Sequence, residues 1–339
     1  MAGPLRFRRS TGTWTGDRIR DQLLAPLEHT FGATLEEPWF SVGDDRYDAV
    51  RFEMDNGDLA LFCFRPGRAY WLGNTETPEP LWRTEKETFA EAPYAVTRWA
   101  ERELTARLEV TDPWLAEFEY LSWFFLPVFF SKDGRDTTRR FFAEDAAGFP
   151  DATSEAGLGF YESLLRTGVL DEHRYTMASK LGTSPGFDLT RMRATMSEFT
   201  VAKLLADAGL RFEPEVEQES GHALDFSVGG HLVEVTRPEP PARRSHADHP
   251  VAAVRETGGA KRTDQLAEHP EAVLIVDCTS FSDAEWAAVA GEKPGVGHEP
   301  TLVIRARPDG HIEGYRYGRL PFDLGEALAP VHSSANRNG

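Results

Sequence analysis

The stretch 224–236 constrains the fold most, because it reads as two short strands joined by Gly229-Gly230. A glycine pair suits a two-residue hairpin turn, in which both central residues take positive φ. Counting back from that turn places Asp225 directly opposite Glu234. The same register pairs Val228 with His231 and Phe226 with Val233.

Alternation along the two strands gives the hairpin one apolar face and one acidic face. Asp225, Glu234 and Thr236 lie on the acidic face, where opposed carboxylates about 5 Å apart repel each other. Two interpretations stay open: a half-exposed hairpin whose acids are solvated, or a pair of acids that shares a cation. The apolar face consists of Leu224, Phe226, Val228, Val233 and Val235.

The segments around the hairpin alternate between helical and extended patterns. Apolar residues at helical spacing predict an amphipathic helix over 197–209, opened by Glu198 and ended by Gly209. The run Val273–Val276 is apolar throughout and favours a buried parallel strand. The further predicted elements are strand 210–219, helix 254–268, strand 272–278, helix 283–290 and strands 302–307 and 311–317.

Glu198 on a helix, Asp225 in the hairpin and the triad Glu234-Val235-Thr236 together resemble the PD-(D/E)XK nuclease core of Holliday-junction resolvases and restriction enzymes. The resemblance covers about residues 190–280 and implies an αβββαβ unit with a restriction-endonuclease-like mixed sheet. The whole chain also resembles an uncharacterised family of halophilic archaea, which implies no function.

The resemblance implies metal-dependent hydrolysis of phosphodiester bonds, with DNA favoured over RNA. A hard cation such as Mg²⁺ or Mn²⁺ prefers carboxylate oxygens. The implied ligands are Asp225, Glu234 and Glu198, together with the carbonyl oxygen of Val235. Such a cation lowers the pKa of its bound water and offsets negative charge in the transition state.

Thr236 departs from the nuclease pattern, in which a lysine stands at this position. Lys261 and Gln265 lie four residues apart on the next predicted helix and therefore share a face. We expect this pair to replace the missing lysine, so that the predicted catalytic set is Glu198, Asp225, Glu234, Thr236, Lys261 and Gln265. A solvated helix face is the alternative for Lys261 and Gln265.

The window 237–262 is the one conspicuously basic part of the chain. Phosphate contact is the functional interpretation, and a flexible surface loop made soluble by its charges is the alternative. The predicted nucleic-acid-binding residues are Arg237, Arg243, Arg244 and Arg262.

The overall charge indicates a saline environment. The chain has 37 basic and 55 acidic residues, a formal net charge of −18, and only six of its basic residues are lysine. Solvated carboxylates keep a protein soluble in molar salt, where the Debye length is about 3 Å. Screening also weakens the objection that an acidic protein cannot bind nucleic acid. An acidic mesophilic protein is the alternative.

Several protein classes are disfavoured. Cys63 and Cys278 are too far apart in sequence to indicate a disulfide framework or a zinc site. The N-terminal residues are polar, and the longest apolar run, 121–130, is interrupted by Pro127. We therefore expect a soluble cytoplasmic protein that neither contacts a membrane nor uses an organic cofactor.

At 339 residues the chain is long enough for two domains. Residues 1–185 are predicted to form an α+β domain, with a helix at about 17–31, an antiparallel meander over about 47–75 and mostly helices over 94–181, one of them at 113–130. The nuclease-like domain then occupies 186–330, after the turn-rich stretch 182–186, and 331–339 form a disordered tail. The role of the first domain and the oligomeric state, a homodimer included, stay open.

Two other functions are compatible with the sequence. A catalytically inactive nuclease fold that binds nucleic acid or protein would account for Thr236. An interaction protein with no nucleic-acid role would account for the overall acidity.

Overall fold

The computed structural model describes residues 5–82, 89–131, 134–181, 188–217, 223–240 and 249–331. The chain divides into two compact units, Met1–Asp136 and Thr137–Gly339. The division after Asp136 falls earlier than the boundary expected between residues 185 and 186. The turn-rich stretch 182–186 lies outside the described residues. The helices over 137–181 group with the second unit, and those at Ser154–Leu165 and Arg174–Leu181 pack against the helix that bears Glu198.

The first unit contains an antiparallel sheet with the strand order β2-β3-β4-β5-β1-β6. The predicted meander is confirmed as β3, β4 and β5, which pair in sequence. Strand β1 was not predicted, because its short polar sequence shows no apolar alternation. The strands are β1 (Phe7–Ser10), β2 (Thr34–Glu36), β3 (Asp48–Glu53), β4 (Leu59–Arg65), β5 (Arg68–Gly73) and β6 (Phe89–Ala90).

Two helices expected in this unit are irregular. The helix expected at 17–31 contains a π-helical turn, Arg20–Leu24, and Pro26, two residues after it, lacks the N–H that a regular ladder needs. The helix expected at 113–130 is wrong as a single element, because it is interrupted at 116–118 and again at Phe125, two residues before Pro127. The segments are α1 (Gly16–Ile19), α2 (Ala25–Phe31), α3 (Glu79–Trp82), α4 (Tyr94–Thr111), α5 (Glu119–Phe124), α6 (Leu126–Phe129) and a 3₁₀ turn at Pro113–Leu115.

The second unit is built on a mixed sheet with the strand order β13-β12-β11-β10-β9-β8-β7. Strands β7, β8 and β9 pair antiparallel, whereas β9, β10 and β11 run parallel. The strands are β7 (Phe212–Glu217), β8 (Ala223–Val228), β9 (His231–Thr236), β10 (Val273–Asp277), β11 (Thr301–Ala306), β12 (Ile312–Tyr317) and β13 (Ala329–Pro330).

The helices of the second unit cover this sheet. Helix α10 packs against β9 and β10, and α11 packs against the same two strands and against α12. Residues 273–276 of β10 are fully buried, which confirms the predicted parallel strand. The helices are α7 (Arg135–Glu144), α8 (Ser154–Leu165), α9 (Arg174–Leu181), α10 (Leu189–Asp207), α11 (Pro250–Asp264) and α12 (Asp283–Glu292), with 3₁₀ turns at Ala146–Gly148, Asp171–His173 and Gly325–Ala327.

The Gly229-Gly230 hairpin has the predicted register, with φ of 57° and 86° at its two glycines. Val228 pairs with His231 and Phe226 with Val233. The ladder ends at the Phe226–Val233 pair, one position before the expected Asp225–Glu234 pair. The apolar face is buried as predicted, but Glu234 and Thr236 are buried as well. The interpretation of a wet acidic face is therefore wrong.

No helix in the described part of the chain is long and apolar enough to cross a membrane.

Candidate metal centre

Three carboxylates from three different elements meet in the second unit. Glu198 on α10, Glu215 on β7 and Asp225 on β8 each offer an oxygen, and these atoms all lie within 4.8 Å of one another. Glu198 is only 8% exposed, and the other two are half-buried. Carboxylate oxygens in such a group are the ligands that hard divalent cations prefer.

Glu215 belongs to this group at a point where the backbone of β7 is locally irregular. Its φ of 57° lies in the left-handed region, which residues other than glycine adopt at a cost. On either side Pro214 pairs with Phe226 and Val216 with Leu224, so Glu215 stands across from Asp225. Strand β7 forms the edge of the sheet, where a proline is tolerated because no further strand needs its N–H.

Asp225 is tied to the neighbouring strand by its side chain. Its Oδ2 accepts a hydrogen bond from the backbone N–H of Val235 at 2.8 Å, just beyond the last pair of the β8–β9 ladder. This contact satisfies a strand donor and fixes the carboxylate beside Glu215. The other oxygen, Oδ1, remains directed towards a lysine.

That lysine is Lys180, near the end of α9. Its Nζ donates to Glu198 Oε2 at 2.5 Å, forms an ion pair with Glu215 Oε1, and lies 3.7 Å from Asp225 Oδ1. Arg191 on α10 donates to the backbone carbonyls of Lys180 and Leu181. These bonds hold the C-terminal end of α9 against α10 and so place Lys180 at the carboxylates.

Glu234 and Lys261 form a second ion pair beside the first group. Lys261 Nζ donates to Glu234 Oε1 at 2.6 Å and also to Gln265 Oε1. The expected sharing of a face by Lys261 and Gln265 is therefore observed, and the contact reaches Glu234 rather than bulk solvent. The second oxygen of Glu234, Oε2, is buried without a hydrogen-bond partner among the described residues.

The pKa values of the acids reflect their burial. Burial raises the pKa of Glu198 to about 8, and the charge of Asp225 adds to this effect against that of Lys180. Burial and the charge of Asp225 raise the pKa of Glu234 to about 7. Burial also raises the pKa of Asp225, although Lys180 and the Val235 N–H oppose it.

The pKa of Lys180 moves in the direction that its partners favour. Burial lowers it, but the charges of Glu198 and Asp225 outweigh burial, and the pKa lies above its ordinary value. The ammonium group is therefore charged at neutral pH and holds the cluster together through its positive charge.

The remaining predicted residues divide into two groups. Thr236 is buried directly after Val235 in β9 and carries no charge that could replace lysine. Val235 contributes its N–H to Asp225. Arg262 is exposed on α11 and donates to the carbonyl of Gly297 at 3.3 Å. Arg243 and Arg244 lie outside the described residues.

Arg237 does not have the surroundings expected of a phosphate-binding residue. Its side chain is 1% exposed and lies 3.5 Å from Asp277 Oδ2. Its guanidinium donates to Ser280 Oγ and to the backbone carbonyls of Arg193 and Gly148. The expectation that Arg237 contacts nucleic acid is corrected, because this side chain connects elements inside the second unit.

Sequence reasoning missed Lys180 and Glu215. The chain has only six lysines, so each of them is a candidate partner for the predicted acids. Among the lysines that the structure describes, Lys180 and Lys261 pair with the acids of this centre. Glu215 had no comparable signal, because its left-handed backbone conformation cannot be inferred from a strand pattern.

Comparison with known proteins yields one relationship. No curated protein and no solved structure matches this chain. Residues 2–324 match a family of unknown function, DUF5784. Because the match spans nearly the whole sequence, the chain belongs to this family of unknown function.

Proposed function

We propose that the second unit is a metal-dependent nuclease of the PD-(D/E)XK type, which hydrolyses phosphodiester bonds with Mg²⁺ or Mn²⁺ and acts on DNA in preference to RNA. The observation that carries the proposal is the convergence of Glu198, Glu215 and Asp225, with Glu234 and Lys261 beside them. A fold gains little stability from several buried acids at one point, so their convergence favours a functional site.

The order of elements supports the same proposal. Helix α10, strands β7 to β9, helix α11 and strand β10 follow one another as an αβββαβ unit. Strand β10 lies parallel to β9 at the centre of the sheet. This is the arrangement implied by the resemblance of Glu198, Asp225 and Glu234 to the nuclease pattern.

The donor set fits a hard divalent cation. Glu198, Glu215 and Asp225 would hold it, and Oε2 of Glu234, which has no hydrogen-bond partner in the described part of the chain, would be available as a further oxygen. When bound, the cation would activate a water molecule and offset negative charge on the phosphate in the transition state.

Lys261 takes the role that Thr236 cannot perform. Its ammonium group donates to Glu234 and to Gln265. It therefore places a positive charge beside the acid of the triad Glu234-Val235-Thr236. In this position it would orient the attacking water or stabilise the charge that develops on the phosphate. Contacts with the rest of the nucleic acid would come from exposed Arg262 and from Arg243 and Arg244.

A second candidate is a catalytically inactive nuclease fold that binds nucleic acid or protein. Thr236 favours it, and so does Lys180, which already neutralises part of the acidic group. In that case the ion pairs would stabilise the fold without chemistry.

The test is a cleavage assay with branched, duplex and single-stranded DNA and with RNA, in high KCl with Mg²⁺ or Mn²⁺ and with chelator. Wild-type protein should cleave, and Asp225→Asn and Glu234→Gln should each lower the rate by about 10²-fold or more, equivalent to about 3 kcal/mol of transition-state stabilisation. Lys261→Met should lower the rate to a similar extent.

Glu313→Gln is the matched control, because Glu313 lies in β12 of the same sheet and pairs with Arg307 instead of a lysine of the centre. It should cleave at the wild-type rate. Equal traces from wild type and Glu234→Gln on every substrate would refute catalysis. Retained binding in that case would support the inactive module.

A further inference from the structure

Lys180 stands in the space that a metal ion would need. Its Nζ is in contact with Glu198 and Glu215 and lies 3.7 Å from Asp225, which are the three residues whose oxygens come together. A divalent cation bound to these oxygens would sit about 2.0–2.6 Å from each of them. The ammonium group and the ion cannot share that position, because both require the same oxygens and repel each other.

We propose that Lys180 is an internal cation that holds the carboxylates together in the metal-free protein, and that a divalent ion must displace it to bind. This inference rests on the proposed metal centre and describes how its occupancy is regulated. Lys180 acts as a positioning residue, since it sets the apparent metal affinity through the acids that it contacts.

The structure allows the side chain to leave without unfolding the helix. The carbonyls of Lys180 and Leu181 are held by Arg191, so the backbone of α9 stays in place. The ammonium group is carried on a flexible four-carbon stem and is partly exposed, with 22% of the side chain accessible. Displacement therefore requires a change of rotamer.

Glu234 gives an independent indication that the centre accepts a further cation. Its side chain is 2% exposed, and Oε2 has no hydrogen-bond partner among the described residues. A buried carboxylate oxygen without a donor is costly. An ion bound beside Asp225, whose charge already acts on Glu234, would compensate this oxygen.

The experiment compares Mn²⁺ binding to the full-length wild-type protein and to Lys180→Met by isothermal titration calorimetry, with melting temperatures in chelator and in Mn²⁺. Lys180→Met should bind Mn²⁺ at least about tenfold more tightly, because the competing charge is gone. The same variant should melt below wild type in chelator and regain stability in Mn²⁺.

Lys203→Met is the matched control. Lys203 lies on α10 together with Glu198, but it pairs with Asp207 outside the centre. Its substitution should leave the Mn²⁺ affinity unchanged. If Lys180→Met does not fold, Lys180→Gln removes the charge but keeps a hydrogen-bonding side chain and should show the same gain in affinity.

The outcomes separate this inference from the proposed nuclease. Equal Mn²⁺ affinity in wild type and both Lys180 variants overturns the competition but leaves the nuclease proposal standing. If the Lys180 variants bind Mn²⁺ more tightly but neither they nor wild type cleave any substrate, the competition is supported and the nuclease proposal is refuted. Absence of Mn²⁺ binding in every protein overturns both, since Lys180 is then a permanent structural cation.

Discussion

At the scale of single residues, charge balance is the central feature of this protein. The two ammonium groups of Lys180 and Lys261 form ion pairs with four carboxylates, those of Glu198, Glu215, Asp225 and Glu234. With all groups ionised, two negative charges remain uncompensated. Burial raises the pKa of the most enclosed acids, and a divalent cation in the place of Lys180 would leave one uncompensated negative charge instead of two.

The raised pKa of Glu198 predicts how the metal-free protein responds to pH. Its pKa is about 8 in the folded protein against 4.5 ordinarily, so between these values the folded state binds more protons than the unfolded state. The free energy of unfolding should fall as pH rises from 5 to 8, because the stabilising protonated form is lost. Urea denaturation in chelator measures this dependence.

Glu198→Gln removes the titrating group and keeps the shape of the side chain. Its free energy of unfolding should depend less on pH over the same window than that of wild type, and Glu313→Gln should behave like wild type. An equal dependence in Glu198→Gln and wild type would show that Glu198 is not the group that retains its proton on folding.

At the scale of elements, α11 positions Lys261 through close packing of its middle turn. Gly258 faces Val296, and a Cβ at this position would lie 2.6 Å from the Val296 side chain. Gly259, its neighbour in the same helix, has nothing within 4 Å of the corresponding position. Packing against Val296 therefore requires a glycine at position 258, whereas Gly259 fills no packing role and lowers the stability of the helix.

The two glycines therefore give opposite predictions. Gly258→Ala should destabilise the protein by about 1–3 kcal/mol, because Val296 has to move. Gly259→Ala should stabilise it by about 0.5–1 kcal/mol, because alanine loses less conformational freedom in a helix. Urea denaturation of both variants provides the comparison, and a change of the same sign in both would contradict the assigned packing.

At the scale of the whole molecule, the excess of acids predicts that salt stabilises the protein. The net charge of −18 generates self-repulsion that the folded chain must tolerate. Raising KCl from 0.1 M to 1 M shortens the Debye length from about 10 Å to about 3 Å, so that the repulsion is screened.

We accordingly expect the melting temperature to rise between low and molar KCl at pH 7. The rise should be smaller near pH 5, which is close to the isoelectric point of about 5.0 and leaves little net charge to screen. Differential scanning calorimetry at both pH values tests this expectation. An equal rise at both would attribute the effect of salt to something other than net charge.

Local patterns determined much of the second unit from sequence alone. The glycine pair set the hairpin register, and the apolar run 273–276 predicted a buried strand. Helical spacing located the helix that bears Glu198, although it begins earlier than expected, at Leu189. These features are predictable because turn chemistry and side-chain periodicity act over a few neighbouring residues.

Only the tertiary structure decided which groups meet at the site. Lys180 lies at the site because Arg191 anchors α9, and Glu215 lies there because the pairing of β7 with β8 places it across from Asp225. Arg237, which was expected to bind nucleic acid, is instead buried beside Asp277 and Ser280. Contacts between residues distant in sequence depend on how whole elements pack. The hairpin pattern therefore predicts the positions of Asp225 and Glu234, but it cannot predict that Lys180 lies beside the acids.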